Sequence, residues 1–554
     1  MIKQASVATA GYLALAFGLA LINLLGINLD LAEPDAAIYA EVAREIHASG
    51  DWLSLAFRGE PFLDKPHFPF WLSAASFALF GVESFAYRLP ALLFSLLGVV
   101  YTYMLAKRLY NHRVGIAAGL ILLGSAHFVV SNTDVRAEAY LAGLTVFALY
   151  HLIAYLQGRA WRDLLLACLG AACLLMTKGL FTLMPLFFGV LGGVILTRDW
   201  HRLFDWRWAV GIAVTLLLTT PVMLAYALQF DFQPEQEVRV GAWGEVTGVS
   251  GIRFFWWDSQ FGRFFNSGPI QGEGEPWFYL HTLLWAFFPW ALLWFAAAFS
   301  WFRNLNLGNR VEPYCLPACL PVLVIFSASQ FQLPHYLNPL FPLFAITVAA
   351  WLYSASETWL ARLGWAQLFA YAPPLLAPPL FWWLSKTPEA WSLAAFGACI
   401  LALVLVYAVG GKRWRLLGGG LAVACLVNLF ILGEALPWLT GYQAGSRIAH
   451  FVKQEKLAQK LIMVYGLKTE ALDFYLDRVV PRIASLDALA ERPDALLVTK
   501  SSGLAELEQT GTAFTQIAQF DDYAITRFKW EFFNRKRRHE VVSPTYLVAI
   551  HPGH

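Results

Sequence analysis

The sequence predicts a polytopic α-helical membrane protein with a small α/β domain at its C-terminal end. Of its 554 residues, 58% are hydrophobic and only 14% are charged, whereas about 25% of the residues of a typical soluble domain are charged. Apolar runs of about twenty residues, the length that crosses a bilayer as a helix, recur along most of the chain. The formal net charge of +2 gives no indication of a nucleic-acid partner.

The apolar runs predict about 13 transmembrane helices, counted by the length that a span needs. The first run is too long for a signal peptide and no small-residue cleavage site follows it, so we interpret it as a retained anchor. The segment Phe68–Phe80 is shorter and lies between Lys65-Pro66 and Gly81, which predicts an interfacial helix. The predicted spans are 7–28, 87–106, 114–131, 138–156, 163–177, 180–197, 208–228, 277–301, 313–330, 336–354, 365–384, 389–409 and 416–434.

The basic residues predict the orientation. If the N-terminus is cytoplasmic and 68–80 does not cross, most Arg and Lys residues of the short loops lie on the cytoplasmic side, as the positive-inside rule requires. The outer loops 30–86 and 229–276 then share the outer face with the C-terminal domain, which in a bacterium is the periplasmic face of the inner membrane. The inside residues are Lys107, Arg108, Arg113, Arg159, Arg162, Arg198, Arg202, Arg207, Arg303, Arg310, Arg362, Lys412, Arg413 and Arg415, against Arg136, Lys178 and Lys386 outside.

The composition changes after residue 443, which divides the chain into a membrane domain (1–443) and a C-terminal domain (444–554). In the second part, LIMVYG, DALLVTK and TYLVAIHP are typical of buried strands, while SRIAHFVKQEKLAQK, TEALDFYL and GLAELEQ are typical of helices. About a hundred residues suffice for an independent α/β domain. Its basic cluster at 535–538 is interpreted as a solvated face, the alternative being contact with anionic headgroups or an anionic acceptor.

The first outer loop carries the densest group of charged and aromatic side chains in an otherwise apolar protein. Asp35 precedes the predicted amphipathic helix 36–49, where it suits both a helix N-cap and a functional carboxylate. Asp64 and Lys65 stand between two prolines at the entrance to Phe68–Phe80. Lys65 could reach lipid headgroups. Because it lies in the same loop as Asp35, we favour a phosphate-binding role for it.

These motifs resemble the polytopic GT-C glycosyltransferases, specifically the protein mannosyltransferase-like group that includes the lipid A aminoarabinose transferases. The resemblance covers most of the membrane domain and depends on the order and spacing of its motifs. They are EPDAAIYAEVAREIHASGDW, GEPFLDKPHFPFWL, Tyr87-Arg88-Leu89-Pro90, Thr177-Lys178-Gly179, Arg263-Phe264 and Gln332-Leu333-Pro334-His335-Tyr336 with Pro339 and Pro342.

The resemblance implies transfer of a sugar from a polyprenyl (undecaprenyl) phosphate to a lipid, glycan or protein acceptor, in lipid A or cell-envelope modification. It makes Asp35 the catalytic carboxylate, and Lys65 and Arg263 the residues that bind the donor phosphate. A carboxylate suits a cationic sugar carbon and fixed cations suit a departing phosphate. The expected substrate cavity adds Asp64, Arg88, Glu138, Trp257 and Tyr336, although a helix-start carboxylate explains Glu138 equally well.

The sequence also departs from the family pattern. Ile38 stands where a basic residue is common, Ser259-Gln260 replaces a Glu-His pair, and Gln332 replaces a lysine. The missing histidine removes a metal ligand, and His67 is better explained as a hydrogen-bonded side chain, so no metal is expected to be essential. The six cysteines lie in apolar runs and form neither a disulfide framework nor a zinc pattern.

The second outer loop, 229–276, is long and rich in glycine and aromatic residues. Loops longer than about 15 residues are usually functional or disordered. Trp256, Trp257 and Phe261 near Arg263 predict a lid over the lipid-linked sugar.

Two other classes of protein compete with the enzyme hypothesis. A transporter or flippase of a lipid-linked glycan would also have many helices, but transporters usually show repeated halves and helices broken at the midplane. A scaffold that only displays the α/β domain leaves the Asp35 and Lys65 loop unexplained. The sequence therefore favours a glycosyltransferase.

Overall fold

The computed structural model describes residues 16–233, 235–240, 244–309, 311–489, 492 and 494–551. The predicted cytoplasmic N-terminus and residues 7–15 of the first span lie outside these residues. The membrane part is helical, and its helices are α1 Ala16–Leu25, α2 Asp35–Ser49, α3 Phe68–Phe80, α4 Ser84–Leu109, α5 His112–Gly124, α6 Ala126–Val130, α7 Ala137–Gly158, α8 Trp161–Lys178, α9 Met184–Thr197, α10 Arg207–Tyr226, α11 Gly251–Arg253, α12 Arg263–Phe265, α13 Phe278–Ala286, α14 Ala291–Asn306, α15 Cys315–Ser327, α16 Phe341–Ser354, α17 Glu357–Ala370, α18 Ala372–Leu384, α19 Ala390–Val409, α20 Lys412–Phe430 and α21 Leu436–Thr440.

Within the described ranges, seven helical stretches are long and apolar enough to cross a membrane. They confirm the polytopic helical fold, whereas the count of 13 spans stays a prediction. Several predicted spans fall on pairs of shorter helices, such as α5 with α6 and α13 with α14. The seven stretches are Ser84–Leu109, Ala137–Gly158, Leu180–Thr197, Arg207–Asp231, Pro334–Ser354, Ala390–Val409 and Lys412–Thr440.

Small residues bring the central helices close together. A Cβ atom built on Gly143 of α7 would lie 2.1 Å from the carbonyl oxygen of Phe94 in α4, and one on Gly98 would lie 3.2 Å from the Cα of Gly143. Glycine at these positions lets the two backbones touch, which is how membrane helices gain packing energy without a hydrophobic driving force between them. The contact fixes α7, which carries Glu138, against α4, which carries Arg88.

The first outer loop folds into α2, a short hairpin of β1 (Ala56–Phe57) and β2 (Glu60–Pro61), and α3. The helix predicted at 36–49 forms as α2, and it is buried on nearly all sides because the C-terminal region covers its polar face. Glu41 and Arg44, both almost fully buried, neutralise each other on that face through a bidentate ion pair. The helix ends at Gly50, which adopts φ 70°.

The second outer loop holds a hairpin, β3 (Glu237–Arg239) and β4 (Glu245–Thr247), followed by a helical segment. In that segment a π-helical stretch, Phe254–Gly262, joins α11 to α12. The second outer loop is therefore helical over 251–265, and it presents Arg263 from a helical backbone.

The C-terminal region forms a five-stranded mixed sheet with flanking helices. The sheet order is β6-β5-β7-β9-β8, with β5 parallel to β6 and β7, and β9 antiparallel to β7 and β8. The sequence predicted three of these strands and missed β6 and β8. The strands are β5 Ile462–Tyr465, β6 Arg482–Ile483, β7 Leu496–Lys500, β8 Phe514–Asp522 and β9 Ser543–Ile550, and the helices are α22 Ala444–Gln454, α23 Glu470–Leu476, α24 Ser501–Gln509 and α25 Trp530–Phe533.

Candidate active site

Three charged side chains from two distant loops meet at the predicted phosphate site. The Asp64 carboxylate accepts from Lys65 Nζ at 2.8 Å and from Arg263 Nη2 at 2.7 Å. All three side chains are at least 87% buried. Lys65 and Arg263 are 198 positions apart in the sequence, yet both bind the same carboxylate. The prolines that flank 64–65 hold Lys65 in place, and the helical turn at 263 holds Arg263.

Tyr39 of α2 completes this group. Its hydroxyl donates to Asp64 Oδ2 at 2.5 Å. Burial alone would raise the pKa of Asp64, but the charges of Lys65 and Arg263 and the hydrogen bonds from Lys65 and Tyr39 hold it well below its ordinary value. Burial lowers the pKa of Lys65, against the attraction of Asp64. Lys65 therefore does not extend to lipid headgroups, because its ammonium group is held inside the protein.

A second charged group faces the first. Glu138, in the first turn of α7 and 1% exposed, forms an ion pair with Lys178 at the end of α8. His335 Nε2 lies 3.7 Å from Glu138 Oε1, and Lys178 Nζ lies 3.7 Å from the centre of the Tyr336 ring. Glu138 is thus both a helix-start carboxylate and a buried partner of this group.

The two groups line one cavity, whose remaining wall is apolar and aromatic. Asp64, Lys65, Arg263, Glu138, Lys178 and Tyr336 all lie on it. Its apolar wall comes from the start of α9 and the turn before it, from α15, from the chain between α15 and α16, and from α12. The residues are Phe181, Pro185, Phe264, Val322, Phe326, Phe331 and Leu340. A few convergent charges on an apolar wall are typical of a site for an amphipathic ligand with an anionic head.

Asp35 lies beside this cavity without lining it. Helix α2 begins at Asp35, and the carboxylate makes no capping hydrogen bond, so the N-cap interpretation is wrong. Asp35 Oδ2 pairs instead with Arg136 Nη1 at 2.7 Å, and a third of its side chain stays exposed. Burial raises the pKa of Asp35, while Arg136 opposes that shift. Asp35 and Tyr39 are one helical turn apart on one face, which links this ion pair to Asp64.

The segment before Asp35 is fixed by the C-terminal region. The Glu33 N–H donates to Gln443 Oε1 at 3.0 Å, and Gln443 Nε2 donates to the Leu31 carbonyl at 2.9 Å. The Leu31 N–H donates to the Tyr475 hydroxyl at 2.8 Å, and Glu33 Oε1 accepts from the Ala471 N–H at 2.7 Å. The backbone that leads into the predicted catalytic carboxylate is therefore held by α23 and by Gln443, the residue that precedes α22.

Comparisons with known proteins agree with this geometry. The sequence profile described as dolichyl-phosphate-mannose-protein mannosyltransferase matches residues 64–226. The chain is 28% identical over 501 residues to an undecaprenyl phosphate-alpha-4-amino-4-deoxy-L-arabinose arabinosyl transferase of Edwardsiella ictaluri, covering 86% of this chain and 83% of the relative. It is 30% identical over 343 residues to the enzyme of the same description from Pseudomonas aeruginosa PAO1, covering 60% of this chain and 57% of that relative.

The fold comparison covers nearly the whole chain. The crystal structure of ArnT from Cupriavidus metallidurans bound to undecaprenyl phosphate matches with a TM-score of 0.74 at 20% identity, over 98% of both chains. Its apo state matches with a TM-score of 0.73 at 21% identity. The chain is a membrane glycosyltransferase with a GT-C fold.

Two of the predicted cavity residues of this glycosyltransferase lie elsewhere. Arg88 is fully buried, and its guanidinium donates to the carbonyls of residues 27, 29, 30 and 133. Trp257 is 52% exposed and packs on Phe261, with ring centres 4.7 Å apart. Phe264, rather than Trp257, presents its ring to the cavity, because the π-helical stretch turns Trp257 outwards. The lid role of the aromatic segment stays a prediction.

The family's metal-ligand position serves a different purpose in this glycosyltransferase. The amide of Gln260 donates to the Lys178 carbonyl at 2.7 Å, and its oxygen accepts from the Phe181 N–H at 3.2 Å. His67 is fully buried, contacts the Leu53 carbonyl through Nε2 at 2.9 Å, and has its pKa lowered to about 4 by burial. Both side chains hold loops together, as the hydrogen-bonding interpretation of His67 predicted. Within the described ranges, no group of three His, Cys, Asp or Glu side chains is placed to hold a metal ion.

Three residues of the site, Lys178, His335 and Tyr39, had no role predicted from the sequence. All three lie in family-like motifs, TKG, QLPHY and EPDAAIYAEVAREIHASGDW respectively. Their signal was a charged or polar residue at the end of an apolar run, which marks a functional site in a membrane protein by default. Tyr39 gave only the weaker signal of lying one helical turn after Asp35.

Proposed function

We propose that this glycosyltransferase moves a sugar from a polyprenyl phosphate, undecaprenyl phosphate in a bacterium, to a lipid, glycan or protein acceptor at the periplasmic face. The support for the donor class is the pairing of Lys65 and Arg263 on one buried carboxylate beside an apolar wall. The periplasmic location is supported by the bias of basic residues toward the opposite loops. The descriptions of the relatives name a donor of the same class.

The charge balance of the cavity supports an anionic ligand. Lys65, Lys178 and Arg263 bring three cations, while Asp64 and Glu138 bring two carboxylates. Buried charge that is not paired is costly, so a cavity with one surplus cation is stabilised by an anion that enters it. A phosphate diester on a long apolar chain fits, because the adjoining wall can accept the chain.

The proposed reaction breaks the bond between the sugar C1 and the phosphate oxygen. The electron pair leaves with the polyprenyl phosphate, whose growing negative charge Lys65 and Arg263 stabilise from fixed positions. An acceptor hydroxyl forms the new bond to C1 and gives up its proton. Asp35 holds or accepts that proton and faces the positive charge that develops at the sugar carbon.

The test uses the purified full chain with a panel of polyprenyl-phosphate sugars carrying a radiolabel in the sugar. We expect one donor to react, and Lys65→Ala and Arg263→Ala each to lower its rate by about 100-fold to 1000-fold, the usual cost of removing one preorganised donor. Asp35→Ala should abolish transfer without weakening donor binding. Arg253→Ala is the matched control, since Arg253 lies in the same helical segment as Arg263 but has a side chain that is 70% exposed.

The outcomes separate the competing functions. A reacting donor identifies the sugar, and a panel of labelled acceptors then identifies the acceptor class. If folded wild-type protein leaves every donor intact but moves a fluorescent lipid-linked glycan between leaflets, the protein is a flippase. If transfer occurs and Lys65→Ala transfers the sugar as fast as Arg253→Ala does, the donor phosphate does not bind between Lys65 and Arg263.

A further inference from the structure

A cationic and aromatic surface of the C-terminal region has no part in the site described above. We name it the basic aromatic patch and define it by Arg527, Phe528, Lys529, Trp530, Arg535 and Lys536. Phe528 is 70% exposed and Trp530 is 57% exposed, and all four cationic side chains are exposed. Large exposed rings among cations are unusual on a surface that faces only water.

The patch is fixed to the ends of membrane helices. The Arg535 N–H donates to the carbonyl of Leu384, the last residue of α18, at 2.9 Å. The Ser385 hydroxyl donates to the Phe533 carbonyl at 2.7 Å. The next helix, α19, begins five residues later at Ala390, and its apolar surface is mostly uncovered by protein. The patch is therefore held at the level where the lipid-facing surface ends.

The neighbouring Arg538 serves as the anchor. Its guanidinium donates to the Ser385 carbonyl and to the Tyr442 hydroxyl, each at 2.8 Å. It also lies 4.8 Å from the centre of the Trp438 ring. These contacts fix the chain that follows α25 to the ends of α18 and α21, and so hold the patch against the membrane part.

The four cations of the patch differ from the neighbouring Arg537 in their ion pairs. Arg537 pairs with Glu540 at 2.8 Å and lies 3.7 Å from Glu531. Among the residues that the structure describes, Arg527, Lys529, Arg535 and Lys536 form no ion pair. Of the four residues in the basic cluster, Arg537 and Arg538 contact other parts of the protein, whereas Arg535 and Lys536 are exposed.

We infer that the basic aromatic patch binds the headgroups of anionic phospholipids in the adjoining leaflet. Aromatic rings settle at the boundary between headgroups and acyl chains. Cations at that level attract anionic headgroups. The four exposed cations of the patch lie at this level, since the patch is attached to the end of α18. The alternative of a purely solvated face leaves Phe528 and Trp530 exposed without a reason.

The test measures lipid binding directly and requires no enzymatic activity. Purified full-length protein in a neutral detergent is titrated with fluorescent short-chain phosphatidylglycerol, in a Lys65→Ala background that removes phosphate binding in the cavity. Arg535→Gln with Lys536→Gln should weaken binding by about 25-fold, since one cation near an anionic surface contributes about fivefold. Lys453→Gln with Lys456→Gln, which removes two exposed charges elsewhere on the same region, should leave the affinity unchanged.

Two further measurements keep the inference open to refutation. Phe528→Ser with Trp530→Ser should weaken binding of both phosphatidylglycerol and neutral phosphatidylcholine, because the rings contribute apolar contact rather than charge. The inference is overturned if Arg535→Gln with Lys536→Gln binds phosphatidylglycerol as wild type does. It is also overturned if inorganic phosphate displaces the lipid at equal concentration, because the patch would then bind free anions.

Discussion

Arg88 gives the sharpest test of the structure, because sequence resemblance and geometry assign it different roles. The resemblance places it in the substrate cavity. The structure buries it completely and directs its guanidinium to four backbone carbonyls, of residues 27, 29, 30 and 133. Those carbonyls belong to the chain that joins α1 to α2 and to the turn before α7. The structure therefore predicts that Arg88 holds the approach to Asp35 and does not touch substrate.

The cost of Arg88→Met follows from these contacts. Methionine fills much of the same space with a flexible apolar chain, but it leaves the buried Thr133 carbonyl and three partly buried carbonyls without a donor. An unsatisfied buried group costs about 1–3 kcal/mol, and burying the guanidinium in the native protein offsets part of that loss. Taking about 1 kcal/mol for each acceptor, the low end of that range because three of the four are only partly buried, we expect a loss of about 4 kcal/mol in the free energy of unfolding.

The assay is thermal unfolding of purified protein in detergent, together with the rate of sugar transfer below the unfolding temperature. Arg88→Lys is the matched control, because it keeps the charge but cannot reach four carbonyls, and we expect an intermediate loss of stability. Arg88→Met should lower the unfolding temperature and leave KM for the donor close to the wild-type value. Unchanged stability with a large rise in KM would show that Arg88 contacts substrate and would refute the structural interpretation.

Three further predictions concern the residues around Asp35 and the metal. Arg136→Gln removes the charge that lowers the pKa of Asp35. Activity is lost as the pH falls through that pKa, so the acid limb of the plot of kcat/KM against pH should move to higher pH. An unmoved limb would mean that Asp35 does not titrate in catalysis. Gln443→Ala frees the Leu31 carbonyl and should lower kcat by up to about 100-fold at unchanged donor KM, and a change in KM alone would contradict this. A chelator should leave transfer unchanged, since Gln260 occupies the metal-ligand position; loss that zinc restores would show the opposite.

Local sequence patterns predicted the parts of the fold that depend on local forces. Apolar run length located the membrane helices, since a span must bury its own backbone groups. Short apolar runs located β5, β7 and β9, which lie in the middle of the sheet. The two missed strands are the sheet edges, where half-exposed residues such as those of β8 (Phe514–Asp522) give no continuous apolar run.

Contacts between distant segments were not predictable in the same way. Helix α2 has the composition of a surface helix, with Glu41 and Arg44 on its polar face, and only the covering C-terminal region explains their burial. The side-chain role of Asp35 as an N-cap was also wrong, because Arg136 competes for its carboxylate from another element. A charge on a helix can be read from sequence, but its partner depends on which helices pack together.

The departures from the family pattern have a common physical consequence. Ile38 and Gln332 replace two basic residues, which leaves Lys65, Lys178 and Arg263 as the cations of the cavity. Each of these three stands next to a buried carboxylate in the structure, so none is free to move when the cavity is empty. Fixed cations need no reorganisation when a phosphate gains charge during bond breaking. A site with fewer cations can therefore still stabilise the departing polyprenyl phosphate, provided that Asp64 and Glu138 hold them in place.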